Sequence, residues 1–399
     1  MYCIIFSMKY YSRDIEAVLL KAVKQFRVVS LSGARQTGKS TLLRHCLSDT
    51  HQFVSLDDPR ILKLAQNDPE FFFEEYSAPL IIDEIQYAPE LLKYIKLRVD
   101  KNSERGQYVL TGSQQFTLMK GLQETLAGRV ALLTLTPMSI NEGPQKTRKY
   151  EYRALRGSYP EIVTVEIDDF QRWFMSYLAT YIGKDVQVHY KLEKTALFRD
   201  MLFLLAARVG QILNYHALAT DLGVSVVAIK SWIKILEAAG IIYVLRPYHT
   251  NLGSRITKSP KIYFMDTGFA AVLTGIKTKD ALFHGALSGN LFENFVLQEI
   301  IKVYENRGMV PPLYYYRTNN GIEVDILIEE KFGEILPCEV KLTKTPKSSM
   351  IHNIERLYRL NKKKNLKILK GALITNQNGQ SAMSREVKSY SLNGFLDTI

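Results

Sequence analysis

The stretch "GARQTGKS", Gly33 to Ser40, constrains this 399-residue chain more than any other. It fits G-x-x-x-x-G-K-[ST], with Gly33, Gly38, Lys39 and Ser40 at the fixed positions. The apolar run "FRVVSLSG" before it reads as a buried strand, and "KSTLLRHCL" after it reads as a helix. In that setting the glycines let the backbone N–H groups of Gly33, Ala34, Arg35, Gln36, Thr37 and Gly38 turn inward around phosphate oxygens. The helix that follows presents its positive end to the same anion. Lys39 is expected to reach the β- and γ-phosphates, the Ser40 hydroxyl to coordinate Mg²⁺, and Thr41 to touch the α-phosphate.

The strand pattern around the loop sharpens this. "PLIIDE" runs four apolar residues into two acids. Asp83 is placed to hold Mg²⁺ through water, and Glu84 to orient the attacking water as a general base. "QYVLTGSQ" is a further strand, ending with Thr111 and Ser113 placed to sense the γ-phosphate, and a helix is expected from Leu118 to Leu126. "GRVALLTLTP" is a fifth strand. Strands alternating with helices predict a parallel α/β sheet covered on both faces. One extra strand, "HQFVSLDD", separates the loop from Asp83, an order similar to AAA-like ATPases rather than GTPases. The dipeptide in "NKKK" lacks the aspartate of a guanine-reading motif, so the expected nucleotide is ATP. Arg129, in "LAGRVALL", reads equally as an arginine finger or as a strand-edge residue.

Composition is that of an ordinary globular protein, with 46% hydrophobic and 23% charged residues. Its formal charge of +12 favours a polyanionic partner, nucleic acid first and a membrane surface second. Three cysteines, Cys3, Cys46 and Cys338, have no metal-ligand spacing, and with no secretory pattern they fit a reducing cytoplasm. Apolar runs stay short of a membrane span. The organised pattern begins at "KYYSRDIEAVLL", with a helix expected over Asp14–Val23, which leaves Met8 as an alternative start. After about Asn141 the pattern changes: "EGPQKTRKYEY" reads as a loop-like hinge, and helices dominate from Asp168 to Gly240. "HALATDLGVSVVAIKSWIKILEAAG" has the look of a helix–turn–helix, with Gly223 at the turn, Ser225 as cap, and Ile229, Ile233 and Leu236 as core stripe. "IIYVLRPY" then resembles the strand of a wing, and Lys230, Lys234 and Arg246 could meet DNA.

From about residue 253 a mixed α/β unit follows, and its strands "EVDILIEE" and "LPCEVKLT" flank a turn at Gly333. Alternation puts Val324, Ile326 and Ile328 on one face and Asp325 on the other, with Glu339 and Lys341 sharing a face across the turn. Two carboxylates ~4 Å apart repel by about 4 kcal/mol at an effective dielectric near 20, so Asp325 and Glu339 call for a cation, and Mg²⁺ suits them. Such an ion would polarise a scissile phosphate while Lys341 steadies the developing charge. The Asp-x(13)-Glu-x-Lys arrangement resembles the PD-(D/E)XK restriction-endonuclease-like superfamily. Glu293, in "LFENFVLQE", reads as an additional acid or as a surface residue of an amphipathic helix.

The motifs "LSGARQTGKSTLL", "LIIDEIQYAPELL", "LTGSQ", "LAGRV", "GSYPE", "YLATYIGKDV", "KIYFMDTG", "FENFV" and "EVDILIE…CEVK" occur here in that order. Together they resemble the prokaryotic family of AAA-like ATPases with a C-terminal domain of unknown function. The resemblance implies an ATPase unit over residues 1–145, a helical and winged-helix region over 146–252, and a nuclease-like α/β domain over 253–399. With the site residues and charge above, ATP and Mg²⁺ are the expected cofactors and DNA the expected partner, with no membrane partner and with a homo-oligomer left open. "GARQTGKS" has alanine where relatives often have proline. Three functions stay open at this point: an ATPase that also cuts nucleic acid, an ATP-switched DNA-binding scaffold with a silent nuclease-like domain, and a protein-remodelling ATPase.

Overall fold

Every residue of "VVSLS" is buried, as a strand covered on both faces requires. The computed structural model describes residues 9–112, 125–165, 167–181, 194–248, 259–318, 321–361 and 367–399. The N-terminal unit begins with α1 (Glu16–Gln25), β1 (Val28–Ser32), α2 (Lys39–Leu47) and β2 (Gln52–Ser55). It continues through α3 (Pro59–Asn67), α4 (Pro69–Glu75), β3 (Leu80–Asp83), α5 (Leu91–Lys101), β4 (Tyr108–Gly112) and β5 (Val130–Thr134). Its sheet has the order β2-β3-β4-β1-β5, with all pairings parallel. Alternate residues face opposite sides. Val28, Leu80, Ile82, Tyr108 and Leu110 pack with Phe72, Phe73 and Ile95 of α4 and α5. Val29, Leu31, Ile81, Val109 and Leu133 pack with Leu19 of α1 and Leu42 and Leu43 of α2.

Helices α3 and α4 were not expected from hydrophobic periodicity. Each is started by an aspartate cap followed by proline: Asp58 accepts from the Arg60 N–H, and Asp68 from the Phe71 N–H. The helix expected over Leu118–Leu126 lies almost wholly outside the described residues.

The middle consists of α6 (Tyr150–Arg156), α7 (Pro160–Val165), α8 (Phe170–Tyr181), α9 (Thr195–Ala207), α10 (Tyr215–Leu222) and α11 (Val226–Ala238). Between α10 and α11, Gly223 adopts φ 63° and ψ 35°, the left-handed geometry that closes a helix, and the Ser225 hydroxyl accepts from the Ala228 N–H. Ile229, Ile233 and Leu236 are buried. The strand expected as a wing, β6 (Ile242–Pro247), is not free-standing. It pairs antiparallel with β7 (Lys261–Phe264) and parallel with β8 (Leu313–Arg317), so it joins the C-terminal sheet.

That sheet is mixed, in the order β13-β14-β12-β10-β9-β8-β6-β7, with β11 (Lys367–Ile368) beside β10. Its other strands are β9 (Glu323–Lys331), β10 (Glu334–Lys341), β12 (Gly371–Thr375), β13 (Gln380–Ala382) and β14 (Val387–Ser391). The helices are α12 (Thr267–Leu273), α13 (Lys279–His284), α14 (Ser288–Asn306), α15 (His352–Asn361) and α16 (Leu392–Leu396). Helix α14 is buried along most of its length, and its apolar side chains join one core that also contains the middle helices. A second cluster, including Val324, Leu327 and Leu373, packs against Ile354 and Leu357 of α15. No helix among the described residues is long and apolar enough to cross a membrane.

Candidate functional site

Two sites emerge, one at the phosphate loop and one at the β9–β10 hairpin. The loop leaves β1 through Gly33, where a Cβ would stand 2.2 Å from the Leu135 carbonyl oxygen, so only glycine fits. Gly38, at φ 92°, opens α2. Between them Gln36 is held at φ 60°, a conformation that non-glycine residues seldom adopt. Thr37 Oγ1 donates to the Ala34 carbonyl at 2.9 Å. Lys39 is buried, and its Nζ donates to the carbonyls of Gly33 at 3.1 Å and Ala34 at 2.9 Å.

Because β4 lies between β1 and β3, two strand ends converge on Asp83. Ser40 Oγ donates to Asp83 Oδ2 at 2.9 Å, and Thr111 Oγ1 donates to Oδ1 at 3.2 Å. Thr111 thus holds Asp83 rather than reaching past it. Ser113 lies outside the described residues. The hydroxyl–carboxylate pair Ser40–Asp83 has the oxygen chemistry and position that Mg²⁺ requires beside a phosphate loop. Glu84 sits at φ 57°, ψ 45°, a second strained non-glycine residue, and accepts from Gln86 Nε2. Burial raises both carboxyls above their usual range. For Asp83 the bonds from Ser40 and Thr111 and the charge of Lys39 oppose the rise, and for Glu84 the Gln86 bond and Lys39 do.

A cavity of about 320 Å³ lies over the loop, lined by Arg35, Lys39, Ser40 and Thr41, by Glu84, and by Tyr177 and Thr180 of α8. A neighbouring cavity of about 280 Å³ is lined by Tyr10, Tyr11, Gln36, Thr41, Met138 and Pro160 among others. Arg129 is placed far from both. The sheet is parallel and Arg129 precedes β5, so it stands at the edge opposite the loop. There its Nε and Nη2 meet Asp100 at 2.5 and 3.1 Å.

At the second site, simple alternation along β9 fails. Between Tyr314↔Leu327 and Tyr316↔Val324, β8 advances two residues while β9 advances three. Val324 therefore packs with Leu327, whereas Ile326 and Ile328 pack in the opposite core. Asp325 occupies this bulge, which re-aims its side chain. Its Oδ2 accepts from the Val340 N–H and from Lys341 Nζ, both at 2.9 Å. Lys341 Nζ is also 2.8 Å from Glu339 Oε2. The cation separating the two carboxylates here is thus Lys341 itself.

Four further residues close the site. Glu293 of α14 accepts from the Tyr263 hydroxyl at 2.5 Å and is 3.6 Å from Lys261 Nζ, which is 2.7 Å from Glu323. Glu293 is therefore an inward acid, not a surface residue. Burial, reinforced by the charge of Asp325, pushes Glu293 up to about 7 and Glu339 up to about 8. Burial also opposes ionisation of Asp325, but Lys341, Lys261 and the Val340 N–H outweigh it and hold that carboxyl low. One acid of the Asp325–Glu339 pair thus carries the charge while the other keeps its proton near neutrality. Glu339 Oε1 is buried with no hydrogen-bond donor against it among the described residues. An oxygen left open in this way suits Mg²⁺, which needs only one or two protein carboxylates beside a phosphate. No cluster of three or more metal-binding side chains forms a complete cage among the described residues.

A buried polar chain runs from the loop toward α14. Arg13 donates to the Thr37 carbonyl at 2.8 Å and pairs with Glu142 at 3.0 Å. Glu142 accepts from the backbone of Asp14 and Ser139. On α14, Glu299 accepts from the Ile140 N–H at 2.7 Å, and Lys302 donates to the Met138 carbonyl at 3.0 Å. Sequence reading missed Arg13, Lys261 and Tyr177. Arg13 stood at the start of the first helical pattern, and Lys261 and Tyr177 open the stretches "KIYFMDTG" and "YLATYIGKDV", but nothing in those stretches marked them as site residues.

A five-stranded parallel sheet in this order, with a glycine loop after β1 and Asp83 ending β3, defines an AAA-type P-loop ATPase fold. The family comparisons agree: residues 25–143 match the AAA domain. Residues 147–280 match the domain of unknown function DUF8612, and residues 288–393 match DUF4143. The uncharacterised proteins Rv2008c of Mycobacterium tuberculosis and Mb2031c of Mycobacterium bovis are each 30% identical over 345 residues, covering 84% of this chain and 75% of theirs. The chain belongs to their family. Among solved structures, it is similar to the Walker-type ATPase PABY2304 of Pyrococcus abyssi at 16% identity, covering 65% of this chain and 94% of that one, with a TM-score of 0.44. It is also similar to the Thermotoga maritima RuvB Holliday junction branch migration motor at 16% identity, covering 58% and 88%, with a TM-score of 0.30.

Proposed function

We propose that this protein is a Mg²⁺-dependent ATPase whose nucleotide state controls the handling of nucleic acid, DNA first, at the C-terminal centre. The observation that carries the second half is the hairpin geometry around the β9 bulge, with Lys341 Nζ within 3 Å of both Asp325 and Glu339. A formal charge of +12 supports a polyanionic substrate.

At the first site, the Lys39 ammonium exchanges its two loop carbonyls for phosphate oxygens when ATP enters. Glu84, raised by burial, takes the proton of the attacking water. Base and ribose extend into the neighbouring cavity beside Tyr10 and Tyr11. Ser40 and Asp83 would hold Mg²⁺ here, and Asp325 and Glu339 would hold it at the second centre; when bound, the ion supplies positive charge to the phosphate oxygens. At the second centre, Lys341 moves from the two carboxylates toward the scissile phosphate and offsets its developing charge. The chain from Arg13 through Glu142 to α14 offers a physical route between the two sites.

One observation favours a second reading, an ATP-switched nucleic-acid-binding protein that does not cut. Lys341 already fills the space between the carboxylates, and a lysine kept there would leave the centre silent. Incubating the full chain with single- and double-stranded DNA, Mg²⁺ or Mn²⁺, with and without ATP, beside Asp325→Ala and Lys341→Ala, tests both. Cutting by the wild type alone establishes the first reading. Binding without cutting establishes the second.

A further inference from the structure

The middle unit contributes a residue to the nucleotide site. Helix α8 lies against the phosphate-loop cavity, and Tyr177 and Thr180, three residues apart on one face, line the wall that also includes Lys39, Ser40 and Glu84. That is the end of the cavity where the terminal phosphate belongs. The apolar ring-lined space beside Tyr10 and Pro160 is a separate cavity, so the two ends of a nucleotide have different neighbours.

Tyr177 is held firmly. It is 5% exposed, and its ring stacks on Trp173 at 5.6 Å and 5° and meets the edge of Phe269 at 6.0 Å. Its hydroxyl oxygen accepts from the Tyr159 hydroxyl at 3.3 Å. Tyr159 immediately precedes α7, whose Pro160 ring would be 3.7 Å from a Cβ placed on Gly38. The segment is tied down from both sides: the Ser158 carbonyl accepts from the Met138 N–H at 2.8 Å, and the Ser158 N–H donates to Asp266 Oδ2 at 2.6 Å. Helices α7 and α8 therefore form one braced unit resting on the loop.

We propose that the Tyr177 hydroxyl donates a hydrogen bond to the terminal phosphate of bound ATP, so that α8 of the middle unit registers whether that phosphate is present. A phenol suits this role. It donates strongly to an anion, adds no charge to compete with Lys39, and sits on a rigid helix. Loss of the terminal phosphate on hydrolysis removes that partner, so the contact distinguishes ATP from ADP. The inference rests on the ATPase reading of the site.

The test is Tyr177→Phe in the full chain, which keeps the ring stack and removes only the hydroxyl. Equilibrium binding of a non-hydrolysable ATP analogue and of ADP would be measured beside steady-state turnover. A hydrogen bond to a charged group predicts about a tenfold weaker hold on the ATP analogue, with ADP affinity held within about twofold, and a fall in kcat. Equal losses for the two nucleotides, or no loss for either, would overturn the proposal and leave Tyr177 a packing residue. Lys39→Ala separates the two levels. If Lys39→Ala abolishes turnover while Tyr177→Phe behaves as wild type, only this inference fails. If Lys39→Ala turns over normally, the ATPase reading fails as well.

Discussion

The phosphate loop and the β9–β10 centre both set carboxylates and a lysine in a buried place at the ends of strands, but they are balanced differently. At the loop, Asp83 is answered by two neutral hydroxyls, Ser40 and Thr111, and Lys39 rests on backbone carbonyls. The charge of Lys39 also steadies Asp83 and Glu84, but Asp83 is held first by the two hydroxyls. At the second centre, Glu293, Glu323, Asp325 and Glu339 surround Lys261 and Lys341. Removing one member of such a group leaves another buried and unpaired, which typically costs about 3–5 kcal/mol. The loop is therefore tolerant and pre-shaped, and the second centre is tightly interlocked.

The largest expected effects break the two sites apart. Lys39→Ala should lower ATP turnover ~100-fold or more while the melting temperature stays close to wild type, because its hydrogen bonds to the Gly33 and Ala34 carbonyls are to neutral groups. Asp325→Ala should remove any DNA cutting, leave ATP turnover within about twofold, and lower stability, because Lys341 and Lys261 lose their shared partner. Calorimetry and a phosphate-release assay on both variants check this contrast. If Lys39→Ala melts far below Asp325→Ala, the comparison is inverted.

Next in size, Glu84→Gln should reduce kcat by ~10²–10³-fold while ATP binding stays within about threefold. Single-turnover measurement of hydrolysis beside equilibrium nucleotide binding separates the two. An equal loss in both would make Glu84 a binding residue instead.

The smallest effect concerns the seam between the units. Glu305 of α14 bonds to Thr134 of β5, yet burial pushes its carboxyl up to about 7. A carboxyl raised in the folded state binds more protons than in the unfolded chain, so stability falls as pH rises from its ordinary value through about 7. The shift corresponds to at most ~3 kcal/mol, less for solvent screening because the side chain is only partly buried. Glu305→Gln should flatten that stretch of the stability–pH curve, read by urea unfolding at pH 5, 6, 7 and 8. An unchanged slope would mean that Glu305 does not titrate in this window.

The contrast between the sites also explains what could be read from the sequence. The loop is local: eight consecutive residues, Gly33 to Ser40, carry it, and an apolar run points straight at Asp83 and Glu84. The β9–β10 hairpin was legible for the same reason, since Glu323–Lys331 and Glu334–Lys341 alternate around Gly333. Its inner geometry was not, because period-two reasoning assumes an unbroken ladder and the bulge shifts Val324 to the other face. Lys261 arrives from a strand of another hairpin, and only the pairing of β6 with β8 brings it to Glu293 and Glu323. Tyr177 was invisible as a site residue because its spacing from Trp173 and Tyr181 is that of an ordinary helical core stripe. Helices α3 and α4 had a clear signal in the repeated Asp-Pro, which marks a capped start more surely than apolar spacing does in so short a helix.

The central claim is that nucleotide occupancy at the loop governs the second centre. It is tested most directly by DNA cleavage in Mg²⁺ or Mn²⁺ by wild type, Lys39→Ala and Asp325→Ala, each with and without ATP. The account predicts cutting by wild type that changes severalfold on adding ATP, cutting by Lys39→Ala that ignores ATP, and none by Asp325→Ala. Cutting that survives in Asp325→Ala, or that responds to ATP in Lys39→Ala, would contradict it.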